Sequence, residues 1–282
     1  MFHVELFSSS IATGANTFGQ VTYVTADSVL QPLVNGVQVS ATLTYLMALA
    51  GVGPNLVHVR AQSPSMLPFP YNAYSPNNRG GGFESPPRIW DLSTAPLPLK
   101  MTEELDIFAT QNSGGNETEY VLVWFSDGQK TAPAATPNPA GIVLNNMMPG
   151  RVFTVHSATT TTVTGGAWTQ VVPALDQTLP AGQYALLGAR AYSVSGLFFR
   201  MYPQIQPLWR PGGICVQAYD AMDPPNQRFF QQGSASTGGW GQWLTFYQNT
   251  VPKVEFYCLN NDTAQELWFD LMWLGGTTTQ GT

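Results

Sequence analysis

The chain has 282 residues, a formal net charge of -6 and a pI near 4.9, with no clustered Lys and Arg to displace counterions, which excludes a protein that neutralises nucleic acid directly. Charged residues make up only 10 %, while 27 glycines and 22 prolines give the profile of short strands and many turns. Two cysteines and three histidines, without a CxxC motif, indicate neither a disulfide framework nor a zinc site, and Cys215 and Cys258 read as free buried thiols.

In chain order, Met1–Ile11 is apolar and weakly charged and lacks the basic region and long apolar core of a signal peptide, so an intracellular, unprocessed product is expected. Gln20–Val24 and Leu33–Ser40 cluster β-branched residues around Asn35-Gly36, which predicts a hairpin with a type I′ turn. Ala41–Ala50 holds good helix formers and stops at Gly51 and Gly53, which predicts the chain's best helix, with a buried strand as the competing reading. The uncharged run between Asp27 and His58 is broken too often by polar residues, Pro and Gly to make a span of about 20 apolar residues.

Leu56–Gln62 reads as a strand, and Ser63–Pro87, crowded with Pro, Gly, Asn and Tyr, as a long loop at a sandwich end. Leu105–Thr110 and Tyr120–Ser126 predict a hairpin that closes the first domain. Prolines then crowd 131–140, where they prevent ladder hydrogen bonding. Arg151–Val163 reads as a strand that Gly165-Gly166 turns back through Trp168–Val172, with further strands at Gln183–Tyr192, Leu197–Tyr202 and Gly213–Tyr219.

The final strand-turn-strand unit repeats the earlier one at an ungapped offset of 149 residues. Leu105–Phe108 falls on Val254–Tyr257, Asn112 on Asn261, Glu117 on Glu266, and Leu122–Phe125 on Leu271–Leu274, which puts Trp124 and Trp273 in one slot as core or domain-interface residues. Upstream, Asn55–Arg60 resembles Ser195–Arg200. A period of this length marks tandem domains rather than a solenoid, here 1–135 and 150–282 joined by a Pro/Ala-rich linker at 136–149. Seven to eight strands in each, with hardly any 3.6-residue stripe, predict an all-β protein of the sandwich or jelly-roll kind.

Catalytic chemistry finds little footing. The paired acids Glu103/Glu104, Glu117/Glu119 and Asp220/Asp223 sit in or beside predicted turns, where acids are ordinarily solvated, and no nucleophile elbow or phosphate-binding glycine loop is present. Asp220–Asp223 and Asn260-Asn261-Asp262 could lend oxygens to a structural calcium ion, but neither has the spacing of a known loop; no cofactor is expected. Asn116-Glu-Thr118 and Asn261-Asp-Thr263 match the glycosylation sequon, and turn chemistry explains both asparagines. The richest resource is aromatic: Tyr71, Tyr74, Phe83 and Trp90 in the first long loop, and Trp209, Tyr219, Trp240 and Trp243 in the second, suited to a protein interface or to stacking on sugar rings.

Two tandem jelly-roll-like domains, without catalytic motif, basic arm or signal, resemble the double jelly-roll major capsid proteins of tailless icosahedral, membrane-containing bacteriophages. That resemblance rests on architecture and implies two eight-stranded sandwiches with little helix, no enzyme activity, and a homotrimer whose six similar domains form a pseudo-hexameric block of an icosahedral shell. It further implies a virion location, assembly in the host cytoplasm, other virion proteins as partners, and an internal membrane that Met1–Ile11 could touch. The competing reading is a two-domain carbohydrate- or receptor-binding protein that uses the loop aromatics as platforms.

Overall fold

The computed structural model describes residues 2–12, 14, 17–24, 30–53, 55–74, 90–92, 95–127, 152–204, 210–215 and 244–275. Two compact units divide the chain, one covering His3–Gly128 and the other lying within Gln129–Thr282. The expected linker at 136–149 lies outside the described residues.

Among the described residues of the second unit eight strands follow one another: β12 (Val152–Thr159), β13 (Trp168–Val171), β14 (Gln183–Ser193), β15 (Gly196–Tyr202), β16 (Gly212–Ile214), β17 (Leu244–Tyr247), β18 (Lys253–Cys258) and β19 (Gln265–Gly275). They form two four-stranded sheets, β12-β19-β14-β17 and β13-β18-β15-β16. The first, eighth, third and sixth strands make one layer, and the second, seventh, fourth and fifth the other. That order is the two interlocked Greek keys of a jelly roll. Its core is drawn from both layers, with Val155, Leu186, Phe269 and Leu271 from one and Phe199, Met201, Val254 and Phe256 from the other.

The first unit contains β1 (Phe2–Ile11), β2 (Gly19–Val21), β3 (Gln31–Pro32), β4 (Val37–Gln38), β5 (Tyr45–Val52), β6 (Leu56–Gln62), a 3-10 turn at Pro64–Met66, β7 (Tyr71–Tyr74), β8 (Trp90–Asp91), β9 (Leu97–Pro98), β10 (Glu104–Gln111) and β11 (Glu117–Ser126). One sheet runs β1-β11-β5-β8 with β9 also on β5; the other runs β3-β4-β10-β6-β7 with β2 also on β10. With the short β3–β4 hairpin set aside and β8 and β9, which both pair with β5 on the side away from β11, counted as one strand, the order is again first-eighth-third-sixth against second-seventh-fourth-fifth. The chain is all-β, two tandem eight-stranded jelly rolls of one topology.

Six expectations need correction. The repeated unit is not a hairpin, because β10 and β11 lie in different sheets, as do β18 and β19. β10 already has β6 on one side and β2 and β4 on the other, so no edge is left for β11. Nor does Gly165-Gly166 fold β12 onto β13, which are edge strands of different sheets; it carries the chain between layers, with Gly166 at φ 74.

The helix expected at 41–50 is instead β5, paired with β11 from Tyr45↔Ser126 to Val52↔Tyr120. Its residues from Leu46 to Val52 are buried, and burial against a central strand outweighs the few tenths of a kcal/mol per residue of helix propensity.

Asn35-Gly36 does sit in a hairpin, but the loop has four residues, closed by Leu33 N–H donating to the Gly36 carbonyl at 2.9 Å, and Gly36 is not among the positive-φ glycines a type I′ turn needs. Glycine is required there for close approach, since a Cβ would lie 2.2 Å from the Leu105 carbonyl oxygen. The stretch read as a loop from Ser63 contains β7, and the Met1–Ile11 segment offered to a membrane contains β1, whose residues His3 to Phe7 are buried.

Candidate functional site

The repeated strands carry their marked residues into equivalent places with unequal surroundings. Trp124 on β11 faces Ala48 across the sheet and has no exposed surface. Trp273 on β19 faces Tyr184 and is partly buried against the second core. Asn112 donates its backbone N–H to the Asn55 carbonyl at 3.1 Å, whereas Asn261 accepts from Gly165 N–H through Oδ1 at 2.9 Å. Each asparagine ties the turn that crosses between layers to a neighbouring loop, with different atoms.

A second match lies across the other sheet, on the face turned away from the core. In the first unit the Arg60 guanidinium stacks over Phe18 at 3.5 Å, and the Gln20 amide donates to Asp106 Oδ1 at 3.0 Å. In the second, Arg200 stacks over Trp168 at 4.3 Å, and Gln170 donates to Glu255 Oε1 at 3.4 Å. An aromatic-x-Gln at the second strand, with Phe18 just before β2 and Trp168 opening β13, an acid on the seventh and an Arg on the fourth thus recur in both jelly rolls. The arginines run two residues out of step with the seventh strand: Arg60 faces Phe108 and Arg200 faces Glu255, where the 149 offset would put Phe108 on Tyr257. The stacked ring moves with its arginine.

The two copies differ in exposure. On β10, Leu105, Ile107 and Ala109 are buried while Asp106 and Phe108 are only half-buried, the alternation of a sheet with one wet face. On β18 and β15, Val254, Phe256, Phe199 and Met201 belong to the core, yet the residues pointing the other way, Glu255, Tyr257, Phe198 and Arg200, are buried as well. Arg200 Nε donates to Glu255 Oε2 at 2.6 Å, and Arg210 Nη1 lies 4.0 Å from the same oxygen. In the open copy, burial and then Glu104 hold the Asp106 carboxyl above its ordinary range, and burial and then Arg60 lower His58. Sequence reading matched Arg60 to Arg200 and missed Phe18, Gln20, Trp168 and Gln170, although the aromatic-x-Gln pair was there to be seen.

The aromatic candidates are only partly placed. Tyr71 is half-buried on β7, Tyr74 ends that strand, and Trp90 on β8 is 36 % exposed and paired with Leu49. Phe83, Trp209, Tyr219, Trp240 and Trp243 lie outside the described residues. Just before Tyr71 in the chain, Phe69 and Leu67 are 87 % and 55 % exposed. They share one end of the sandwich with the exposed Met101, because Ser65 N–H donates to Glu103 Oε2 at 2.9 Å and ties the 63–70 connection to the 99–103 turn.

Among the acids, Glu103 is held by Ser65 and Lys100, which lower its carboxyl, and Glu117 accepts the Asn55 amide at 2.8 and 2.9 Å. Glu119 departs from the expectation of a solvated turn acid: it is wholly buried, and neither carboxyl oxygen has a hydrogen-bond partner among the described residues. Burial, and then Glu117, push it up to about 8. Asp220 and Asp223 lie outside the described residues. Both cysteines are free and buried, as read from the sequence. No group of three or more His, Cys, Asp or Glu side chains suited to a metal occurs among the described residues.

No protein-family model and no curated protein matches the chain. Solved structures similar to it include the PBSX exported protein XepA (9 % identity, TM-score 0.26, covering 96 % of this chain and 86 % of that one). Others are the major capsid protein P2 from bacteriophage PM2 (10 %, 0.25, 99 % of each) and the STIV MCP (11 %, 0.23, 97 % of each). Such values make the strand order itself, and not these likenesses, the ground for the fold.

Proposed function

We propose that this chain is a structural virion protein, a major capsid protein that assembles as a homotrimer and tiles an icosahedral shell. The observation that carries the proposal is the duplication of one complete jelly roll, strand for strand, within a single chain. Three such chains present six like domains, so one trimer has nearly hexagonal contacts and can meet its neighbours through repeated surfaces, as closed symmetric assemblies require.

The half-open face bearing Phe18, Arg60 and Asp106, and the sandwich end bearing Leu67, Phe69 and Met101, supply contact surface of the right kind. Interface centres are depleted in charge and enriched in aromatics, Met and Arg, which suits a chain with 10 % charged residues. In this account the protein resides in a bacteriophage virion after assembly in the host cytoplasm, with its own copies, other virion proteins and an internal membrane as partners. The buried β1 leaves membrane contact to segments other than His3–Phe7.

Light scattering on the size-fractionated protein tests this. A stable species of three times 30.6 kDa, or larger particles built from it, supports the proposal. A monomer that binds glycans would sink it in favour of the carbohydrate-binding reading.

A further inference from the structure

Asn35 opens the one Asn-Gly pair in the sequence, and it stands exposed in the loop between β3 and β4. An asparagine side chain can be attacked at Cγ by the backbone nitrogen of the following residue. The ring closes most readily when that residue is glycine, which has no Cβ in the way and the fewest conformational limits. In a folded chain, closure then depends on whether other groups already hold the two reacting ones.

At this hairpin neither is held. The bond that closes the loop runs from Leu33 N–H to the Gly36 carbonyl, while the Gly36 N–H donates to no group among the described residues. The Asn35 side-chain amide likewise makes no hydrogen bond among them, and only its backbone carbonyl is fixed. Gln20 Nε2 donates to that carbonyl at 2.9 Å and to Asp106 Oδ1 at 3.0 Å. Two other turn asparagines contrast with this. After Asn112, the Ser113 N–H is already given to Gln111 Oε1 at 2.6 Å. After Asn261, the Asp262 N–H donates to the Val163 carbonyl at 3.0 Å, and Asn261 Oδ1 itself accepts from Gly165 N–H.

We propose that Asn35 is a self-modification site. The Gly36 nitrogen attacks Asn35 Cγ, the Cγ–Nδ2 bond breaks, and ammonia leaves with the proton that Gly36 gives up; water then opens the succinimide to aspartate or isoaspartate. Nothing is oxidised or reduced, and water is the only other reactant. In the isoaspartate product the main chain runs through the former side chain, and the oxygen that Gln20 holds becomes part of a free carboxylate. The new charge lands one amide away from Asp106, whose carboxyl burial and then Glu104 already hold above its ordinary range. An uncharged hairpin tip beside the half-open face of the first jelly roll thereby becomes acidic. This chemistry does not depend on assembly.

The full-length wild-type protein, held at neutral pH and sampled over time, tests the proposal. Electron-transfer mass spectrometry of its peptides distinguishes asparagine, aspartate and isoaspartate. The amide of Asn35 is expected to disappear roughly tenfold or more faster than those of Asn112 and Asn261, where hydrogen bonds must break before the ring can close. Isoaspartate should accumulate at position 35 together with aspartate. Equal persistence of the three amides would overturn the proposal, as would conversion of Asn35 to aspartate alone, which marks direct hydrolysis without the ring.

Discussion

Trp124 and Trp273 show how one slot acquires two energetic weights. Trp124 has no exposed surface, so Trp124→Ala removes its whole side chain from a packed interior and is expected to cost about 3–5 kcal/mol. Trp273 keeps part of its ring toward solvent, and Trp273→Ala should cost roughly half as much, about 2 kcal/mol. Urea denaturation followed by far-UV circular dichroism measures both, and equal losses would contradict the assigned burial. The thiols give a second check at this scale. Burial, and then Cys258 and Asp262, raise the Cys215 thiol, and burial chiefly raises Cys258, so both should resist a thiol-disulfide reagent at pH 8 until denaturant is added. Fast labelling of the native protein would count against the buried cluster they share.

At the scale of elements, the duplicated stack on the second, seventh and fourth strands predicts unequal mutants from equal chemistry. Arg60→Ala removes a half-exposed cation–π contact and should cost under about 1 kcal/mol. Arg200→Ala takes away the nearer partner of the buried Glu255 carboxylate and should cost about 3–5 kcal/mol. Thermal melts of the two variants separate these outcomes. Gly36→Ala should disturb the β3–β4 hairpin, because its new Cβ would meet the Leu105 carbonyl. The edges of β6 and β13–β15 were legible to within a residue or so from β-branched and aromatic runs bounded by Gly and Pro. β5 was not, since a strand buried on both faces loses its period of two and Ala, Leu and Met favour helix locally. Nor was the layer change between β10 and β11 readable, because sequence adjacency looks alike whether two strands pair or stack across a core. Glu119 was read as a solvated turn acid for a related reason: it packs against Gly53, 66 positions earlier in the chain.

For the molecule as a whole, duplication of an entire jelly roll is the fact that any function must use. An enzyme needs one site, and a lectin module needs one platform; a chain that carries the same eight-strand order twice offers two like bodies. Their outer sheet faces differ, half-exposed in the first unit and buried within the chain itself in the second. Cryo-electron microscopy of the purified, assembled protein tests that account most directly. It predicts a three-chain block in which six jelly-roll densities stand in a nearly hexagonal ring, alone or tiled into a closed shell. A particle containing one chain, or copies joined without that ring, would contradict it.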